Sequence, residues 1–587
     1  MRAARDTQRQ TMNRRDFIKA MVGTSTMAIG GCFPTSAKQR CENGTRKPNV
    51  VLILTDDQGF GDVGFNGNPF VKTPNIDGFA ARSVVFEQFY VCPVCSPTRA
   101  SLLTGRYHFR TGVLETQAGM SMLRPCELTI AEALKADGYR CGMFGKWHLG
   151  DNCPTRPIDQ GFDCSLTHIG GMIGAPYNPL DANSYFEPVL LENGREKKYA
   201  GYCADIFTDA AIDFVEANRN EPFFLYLAPN TPHHPLTVPQ KYSMPYLDMG
   251  LSEETSRFYG MITNIDDNFK KLTDKLENLG LLDNTVVIFS GDNGTSSLHK
   301  QSDLWDCGLR GRKTFVYENG IRVPMFINVP GCAGGRKIEH CASAIDIMPT
   351  ILDTCGVRAG DAKFDGISLV PLLRGDAQKL PDRNLYIQWH RGDKPVKYKN
   401  FAVRGGGYKL VLPLSKYEQF ITSQSGFELY DIWQDPFEKN DIAAQYPQIV
   451  DSLKKDYEKW FDEVTQGQDY SPTKIYIGSE SENPVLLTRQ DWQGGGIFDG
   501  ENGYYDLDVR TEADYRITCR LTDLLSENHT ATLTIGGMVL HKDILYAESQ
   551  CRFDKIHLPK GQTRLEAYIE TQGRKCGFRF IEIERLN

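Results

Sequence analysis

Cys95-Ser96-Pro97-Thr98-Arg99-Ala100-Ser101-Leu102-Leu103-Thr104-Gly105 puts a thiol at a helix start. Ser96 suits an N-cap, Pro97 the first helical position, and Gly105 the C-terminal stop. Cys95 is therefore expected just ahead of the helix, where free backbone N–H groups and the positive dipole end favour an anion or a thiolate. Arg99, one turn on, can point back at the same anion. Asp56 and Asp57, in Thr55-Asp56-Asp57-Gln58-Gly59, are adjacent carboxylates that repel each other unless a cation is present. Asp292-Asn293-Gly294 offers another carboxylate and an amide oxygen, and such oxygen-rich ligation suits calcium or magnesium. Lys146 and His148, in Gly145-Lys146-Trp147-His148-Leu149-Gly150, alternate on an extended chain and can face one pocket. Pro232-His233-His234-Pro235 adds histidines whose titration range suits proton transfer. Taken singly, each has a plainer reading: a buried cysteine, a turn at Asp-Asn-Gly, structural histidines.

The elements that must position these groups read as an α/β pattern. The continuous apolar run 50–54 is how a fully buried parallel strand reads. Strands are expected at 84–91, 139–144, 223–227, 285–290 and 324–329. Helices are expected from Thr73-Pro74-Asn75, after the Thr129/Glu132 capping box to Gly138, and over 205–217 and 254–279, with 343–355 continuing the alternation. This implies a mostly parallel sheet with helices on both faces. Asp56-Asp57, Lys146 and His148, His233, and Asp292-Asn293 all follow expected strands, and the carboxyl ends of strands are where open α/β sheets place their sites. From about 381 the pattern changes to short strands (384–388, 400–403, 408–412) and one long helix (449–463). A polar linker, 466–483, leads to β-branched and aromatic runs over 484–587 that read as an appended β-sandwich.

The chain's 587 residues exceed one domain. With 41% hydrophobic and 24% charged residues it is an ordinary globular composition, and a net charge of −8 argues against a general nucleic-acid or anionic-membrane binder. The sixteen cysteines show no paired zinc spacing; disulfides are expected among residues such as Cys519, Cys551 and Cys576.

The pattern C-x-P-x-R-x-x-x-L-T-G fixes six positions, and at roughly one in twenty per position a chance match is remote. It resembles the signature of the type I sulfatases of the alkaline phosphatase superfamily. Gly145-Lys146-Trp147-His148-Leu149-Gly150 matches that family's G-K-W-H-L-G segment. Leu309-Arg310-Gly311-Arg312-Lys313 with Tyr317-Glu318-Asn319-Gly320-Ile321-Arg322-Val323-Pro324 resembles L-R-G-G-K…Y-E-G-G-I-R-V-P, departing at Arg312 and Asn319, which decorate the loop or reshape the entrance. Glu428-Leu429-Tyr430-Asp431 with Asp435-Pro436 and Glu438 resembles the family's L-Y-D-L-x-x-D-P-x-E segment.

The resemblance implies that Cys95 is converted by a formylglycine-generating maturation enzyme to Cα-formylglycine, whose hydrate is the nucleophile. It implies one calcium ion held by Asp56, Asp57, Asp292, Asn293 and the converted Cys95. Arg99, Lys146 and Lys313 would hold the sulfate, His148 would be the base that ejects it, and His233, with His234 as fallback, the acid to the leaving alcohol. Cys92 lacks the proline and arginine offsets and is expected to stay a thiol. The implied architecture is a catalytic α/β domain over 45–380, the family's small antiparallel subdomain over 381–465, the linker, and the sandwich. The expected substrate is a sulfated polysaccharide or oligosaccharide, with Trp492, Tyr504 and Tyr505 weighed as stacking platforms against core packing. A phosphodiesterase or phosphonate monoester hydrolase on the same scaffold, and an inactive carbohydrate-binding relative, are the alternatives.

Over residues 1–44, Asn13-Arg14-Arg15-Asp16-Phe17-Ile18-Lys19 ahead of a weakly apolar run resembles a twin-arginine export signal, and Met12 is an alternative start. Ile29-Gly30-Gly31-Cys32 resembles a lipoprotein cleavage box with Cys32 as the lipidated residue. The expectation is export, through the matching machinery, to the periplasm or exterior, with a lipid anchor at Cys32 as an option.

Overall fold

The computed structural model describes residues 46–175, 178, 184–296, 303–413, 426–496 and 500–586. The export segment, with Arg14, Arg15 and Cys32, lies outside the described residues. Among those described, ten strands form one sheet in the order Arg336–Ile338, Val84–Phe86, Met325–Asn328, Thr285–Gly291, Asn49–Thr55, Phe223–Ala228, Arg140–Gly145, Cys164–Thr167, Val189–Glu192, Arg195–Lys198. The five from Thr285–Gly291 to Cys164–Thr167 run parallel. Asn49–Thr55 is buried at every position, and its alternate side chains feed two cores. Val50, Leu52 and Leu54 meet the helices Cys95–Thr104, Ile130–Ala136 and Ile347–Cys355 on one face. Val51 and Ile53 meet Pro74–Ala81, Cys203–Ala217 and Glu253–Asn278 on the other. A strand covered on both faces has no solvent side, which is why its sequence is continuously apolar.

The local signals hold. Thr129 and Glu132 cap each other's backbone at the start of Ile130–Ala136. Gly105 ends the Cys95 helix with φ 67° and returns its N–H to Ser101 O at 2.9 Å. Three expectations change. The helix starts at Cys95 itself, with Val94 as an extended N-cap, so Ser96 and Pro97 fall inside the first turn. The run 84–91 breaks into Val84–Phe86 and Phe89–Tyr90, the second pairing with Ala342–Ser343 in a separate ladder. Met325–Asn328 is antiparallel to Thr285–Gly291, since the 33 or so residues between them hold only the single-turn helix Glu318–Ile321 among those described and no crossover helix to carry the chain back.

The antiparallel sheet Leu385–Gln388, Phe401–Gly405, Tyr408–Leu412, Glu428–Asp431 carries helix Pro447–Thr465. Leu453, Tyr457, Trp460 and Phe461 of that helix pack on Phe401, Val403 and Leu410, and on Phe109 and Leu114 of the large domain. The C-terminal region is two facing sheets. One is Ile475–Ile477, Tyr504–Val509, Gly561–Thr571, His529–Ile535, Met538–Ile544, with Arg574–Gly577 on Gly561–Thr571; the other is Val485–Thr488, Phe580–Arg585, Ala513–Arg520, Gln550–Leu558. The stretch 466–483 is therefore not only a linker: Ile475–Ile477 pairs in parallel with Tyr504–Val509, and three residues bounded by polar ones are too short to signal a strand.

Trp492 and Tyr505 are core residues at 1% and 2% exposure, so neither is a stacking platform. Tyr504 is half-buried beneath the Arg564 guanidinium, 3.7 Å from its ring centre. The cysteines among the described residues are free thiols, contrary to expectation. Cys519 lies opposite Cys551 across one ladder, while Cys576 belongs to the other sheet. No described helix is long and apolar enough to cross a membrane.

Candidate active site

Four neighbouring parallel strands deliver the charged groups to one end of the sheet. Asp56 and Asp57 follow Asn49–Thr55, Asp292 and Asn293 follow Thr285–Gly291, Lys146 follows Arg140–Gly145, and His233 lies beyond Phe223–Ala228. Backbone bonds tie these loops together: Asp56 N donates to Thr231 O (3.1 Å), Asp292 N to Thr55 O (3.0 Å) and Lys146 N to Ala228 O (2.7 Å). Gly145 is required there, because a Cβ would lie 2.0 Å from Ala228 O and its φ is 114°.

Asp56, Asp57 and Asp292 are all fully buried. Lys146 Nζ donates to both Asp56 oxygens, at 2.9 and 2.8 Å. Lys313 Nζ donates to Asp57 Oδ1 at 2.5 Å, and Asn293 Nδ2 donates to the same oxygen at 2.8 Å. Arg99 forks onto Asp292 Oδ2 through Nε (3.1 Å) and Nη2 (2.8 Å), and its Nη1 donates to Lys146 O (2.6 Å). Its guanidinium is thus committed to Asp292 rather than aimed back at Cys95 alone. His233 Nε2 is 3.7 Å from Asp57 Oδ2, while its Nδ1 meets His234 O at 2.7 Å. His148 has φ 58° rather than an extended backbone, and its Nε2 meets Thr116 O at 2.8 Å. Cys95 thus lies with Asp56 and Asp292, His233 with Asp56 and Asp57, and His148 where it feels Lys146 and Arg99; His234 is only half-buried, its carbonyl serving His233.

Electrostatics follow burial and neighbours. Burial would raise Asp57, but Lys313, His233 and Lys146 outweigh it and hold the carboxyl well below the usual range. Asp292 is pushed up to about 6 by burial and by Asp56, against Arg99 and Lys146. Burial lowers His148 well below the ordinary imidazole value, with Lys146 adding to it, and lowers His233 to about 3 against the pull of Asp57. The Cys95 thiol is pushed up by burial despite Lys146 and Lys313, so it is not an activated thiolate.

A hard cation fits this donor set. Ligand atoms of Asp56, Cys95 and Asp292 lie within 4.8 Å of one another, as do those of Asp56, Asp57 and His233. Asp57 Oδ2 and Asn293 Oδ1 are buried without a partner, which is costly unless something takes them up. Three carboxylates and an amide oxygen are ligands for calcium or magnesium.

Arg312 lies in a loop and Asn319 in the single-turn helix Glu318–Ile321. Asn319 is buried, with Nδ2 on Gly311 O at 3.1 Å, and Arg312 acts electrostatically on Asp62. His168 was missed by the sequence reading. It is buried with Nε2 unpartnered, and burial lowers it to about 3 with Lys146, Arg99 and His233 close by. It follows Cys164–Thr167, so the strand-end rule that found the others points to it as well.

Comparison with known proteins identifies the family. The profile of the family described as Sulfatase matches residues 48–357, and that described as N-sulphoglucosamine sulphohydrolase, C-terminal, matches 311–463. Both end before the β-sandwich. Human arylsulfatase A is 31% identical over 468 residues, covering 70% of this chain and 87% of that protein. Human N-acetylgalactosamine-6-sulfatase is 32% identical over 380 residues, covering 59% of this chain and 69% of that protein. The crystal structure of Ps i-CgsB in complex with k-i-k-neocarrahexaose superposes with a TM-score of 0.64 at 29% identity, covering 73% of this chain and 95% of the other. The chain belongs to the sulfatase family, with an alkaline-phosphatase-like fold, and is a sulfuric ester hydrolase.

Proposed function

We propose that this sulfatase removes sulfate from sulfated glycans, using a Cα-formylglycine hydrate made from Cys95 and a calcium ion held by Asp56, Asp57, Asp292, Asn293 and the converted residue. The observation that carries this is the convergence of Cys95, three buried carboxylates and three cations at one sheet end, with Asp57 Oδ2 and Asn293 Oδ1 unpartnered. The two groups together would supply charge neutralisation at the sulfate and a geminal diol, which can attack through one oxygen and eliminate through the other.

The protein's own groups do the rest. Lys146 and Lys313 flank the nucleophile position and spread the charge of the transferring sulfate. Arg99 fixes Asp292 and, through Lys146 O, the loop that bears Lys146 and His148. His148 is neutral, and with Nε2 held by Thr116 O its Nδ1 is the site that accepts a proton. His233 spends one nitrogen on His234 O, so it gives a proton to the leaving oxygen only after Nε2 takes one up; an anionic ester beside it favours that.

A glycan substrate is supported by a cleft of about 850 Å³ on the 115–120 loop, the loop whose Thr116 carbonyl meets His148. It is bordered by Glu115 and Ala118 of the large domain, Arg391 and Lys394 of the small one, and Tyr504 and Arg564 of the sandwich. The related i-CgsB, solved with a neocarrahexaose, is a second support. Export through the twin-arginine-like segment, with a lipid anchor at Cys32 as an option, and conversion by a maturation enzyme complete the reading.

Peptide mass spectrometry of protein from a host with the maturation enzyme is expected to show Cys95 converted and Cys92 intact. Cys95→Ala should abolish turnover with the fold kept. A panel of sulfated glycans, with paired aryl sulfate and aryl phosphate, tests the substrate. An active enzyme with an unmodified Cys95, a preference for phosphate, or turnover of small aryl sulfates alone would overturn the proposal.

A further inference from the structure

The β-sandwich reaches into the catalytic domain next to His148. Gln490 follows Val485–Thr488, is 2% exposed, and makes three bonds to the loop 115–121. Its Nε2 donates to Thr116 O at 2.7 Å and to Ser121 Oγ at 3.0 Å, and its main-chain carbonyl accepts from Gly119 N at 3.1 Å. The Thr116 carbonyl is the same atom that faces His148 Nε2 at 2.8 Å. Nearby, Arg579 Nε of the sandwich donates to Asn178 O at 2.8 Å.

We infer that Gln490 is a positioning residue for His148, acting through the Thr116 carbonyl, so that the appended domain completes the active site. A carbonyl oxygen only accepts, and it has two lone pairs. One is taken by Gln490, which must present its NH₂ side there; the other is taken by His148, which must carry its proton on Nε2. That leaves Nδ1 as the basic nitrogen, and Nδ1 is the ring atom with no partner. The ring lies against Gly171, where a Cβ would come within 2.2 Å of its Cε1 and Nε2, so only glycine leaves it that place. Thr116 is itself held from the other side: its N and Oγ1 both donate to Glu115 Oε1 at 2.9 Å. Without Gln490 the carbonyl loses the donor that locates it, and the two neutral tautomers of His148 come closer in population. The inference rests on His148 serving as the base.

The test uses the full, matured chain. Gln490→Leu keeps the volume and removes the donor. It is expected to lower kcat on an aryl sulfate about 10- to 100-fold, the usual effect of losing an outer-shell orienting bond, with KM changed less than about twofold. Ile535→Ala, a core truncation elsewhere in the sandwich, is the control: it lowers Tm but leaves kcat at low temperature unchanged. An activity-independent readout is the ¹⁵N imidazole spectrum, with His148 assigned by its loss in His148→Asn. Wild type should show a single Nε2–H tautomer and Gln490→Leu a mixture. If Gln490→Leu does not fold, Gln490→Asn, one methylene too short to reach, replaces it. A variant with unchanged kcat and an unchanged tautomer overturns the inference. Loss of kcat with an unchanged tautomer also overturns it. A wild type that hydrolyses no sulfate ester counts against the catalytic reading instead, while the spectrum still decides on positioning.

Discussion

Two clusters of buried charge do opposite things. In the first, Asp56, Asp57 and Asp292 face Arg99, Lys146 and Lys313. In the second, Lys409 Nζ lies 2.9 Å from Glu318 and 2.8 Å from Glu438, all three without exposure. Glu318 N donates to Glu438 Oε2 at 2.7 Å and Tyr90 OH donates to Glu318 Oε2 at 3.2 Å. The second cluster joins the single-turn helix Glu318–Ile321 of the large domain to a strand and a loop of the small one, and its ions close on each other. The first leaves Asp57 Oδ2 and Asn293 Oδ1 with nothing to bind. Glu438 Oε1 also lacks a hydrogen bond, but Lys409 Nζ lies 2.8 Å from it, whereas the cation facing Asp57 Oδ2 is His233 Nε2 at 3.7 Å. What separates a site from a clamp is a buried oxygen that no close cation neutralises.

Breaking each cluster should separate the two. Lys409→Met strands two buried glutamates and is expected to cost about 3–5 kcal/mol of stability, read as a lowered thermal midpoint, with kcat near wild type well below that midpoint. Lys146→Met should do the reverse, lowering kcat about 10²- to 10³-fold as one anion-stabilising donor is lost, with a smaller change in Tm.

Calcium sharpens the contrast. At 100 times its dissociation constant it should add about 2.7 kcal/mol to unfolding, and by the same amount in Lys409→Met. Asn293→Ala should shrink the increment, measured by melts with and without chelator; an equal increment in that variant would remove Asn293 from the ligand set.

The smallest effect is on pH. Burial, and repulsion from Glu318, raise Glu438 to about 7 against Lys409, from an ordinary value near 4.5. A carboxyl raised on folding contributes stability that is fully present below 4.5 and lost as pH rises through 7. Glu438→Gln should therefore flatten the fall in Tm between pH 5 and 8, by about a kcal/mol or two. A wild type whose Tm does not fall over that range would contradict the assignment.

Much of this was legible in the residues. A central strand buried on both faces has to be apolar throughout, so 50–54 announced the sheet, and polar residues immediately after such runs announced the site. Thr129, Glu132 and Gly105 carry their structural meaning in their side chains, or in the lack of one. What was missed lacks such signals. The reversal of Met325–Asn328 depends on the absence of a crossover helix among the described residues, not on the strand's own composition. Trp492 and Tyr505 have the same chemistry in a core as on a surface. The link from Gln490 to His148 passes through a backbone carbonyl 374 residues away, and a carbonyl is the same atom in every residue type. Glu318 and Glu438 show the converse: both lie in motif-like segments, yet their geometry is architectural.

Asp57 and His148 both hold left-handed backbone, at φ 68° and 58°. A non-glycine residue there costs about 1–3 kcal/mol, which the surrounding structure has to offset. Glycine at either position would be free of that cost and would also delete a functional group. Each side chain is nonetheless buried and bonded: Asp57 Oδ1 accepts from Lys313 and Asn293, and His148 Nε2 meets Thr116 O. Deleting either would leave a buried partner unpaired, a loss that offsets the relief, so the strained backbone persists where the side chain it carries is in use.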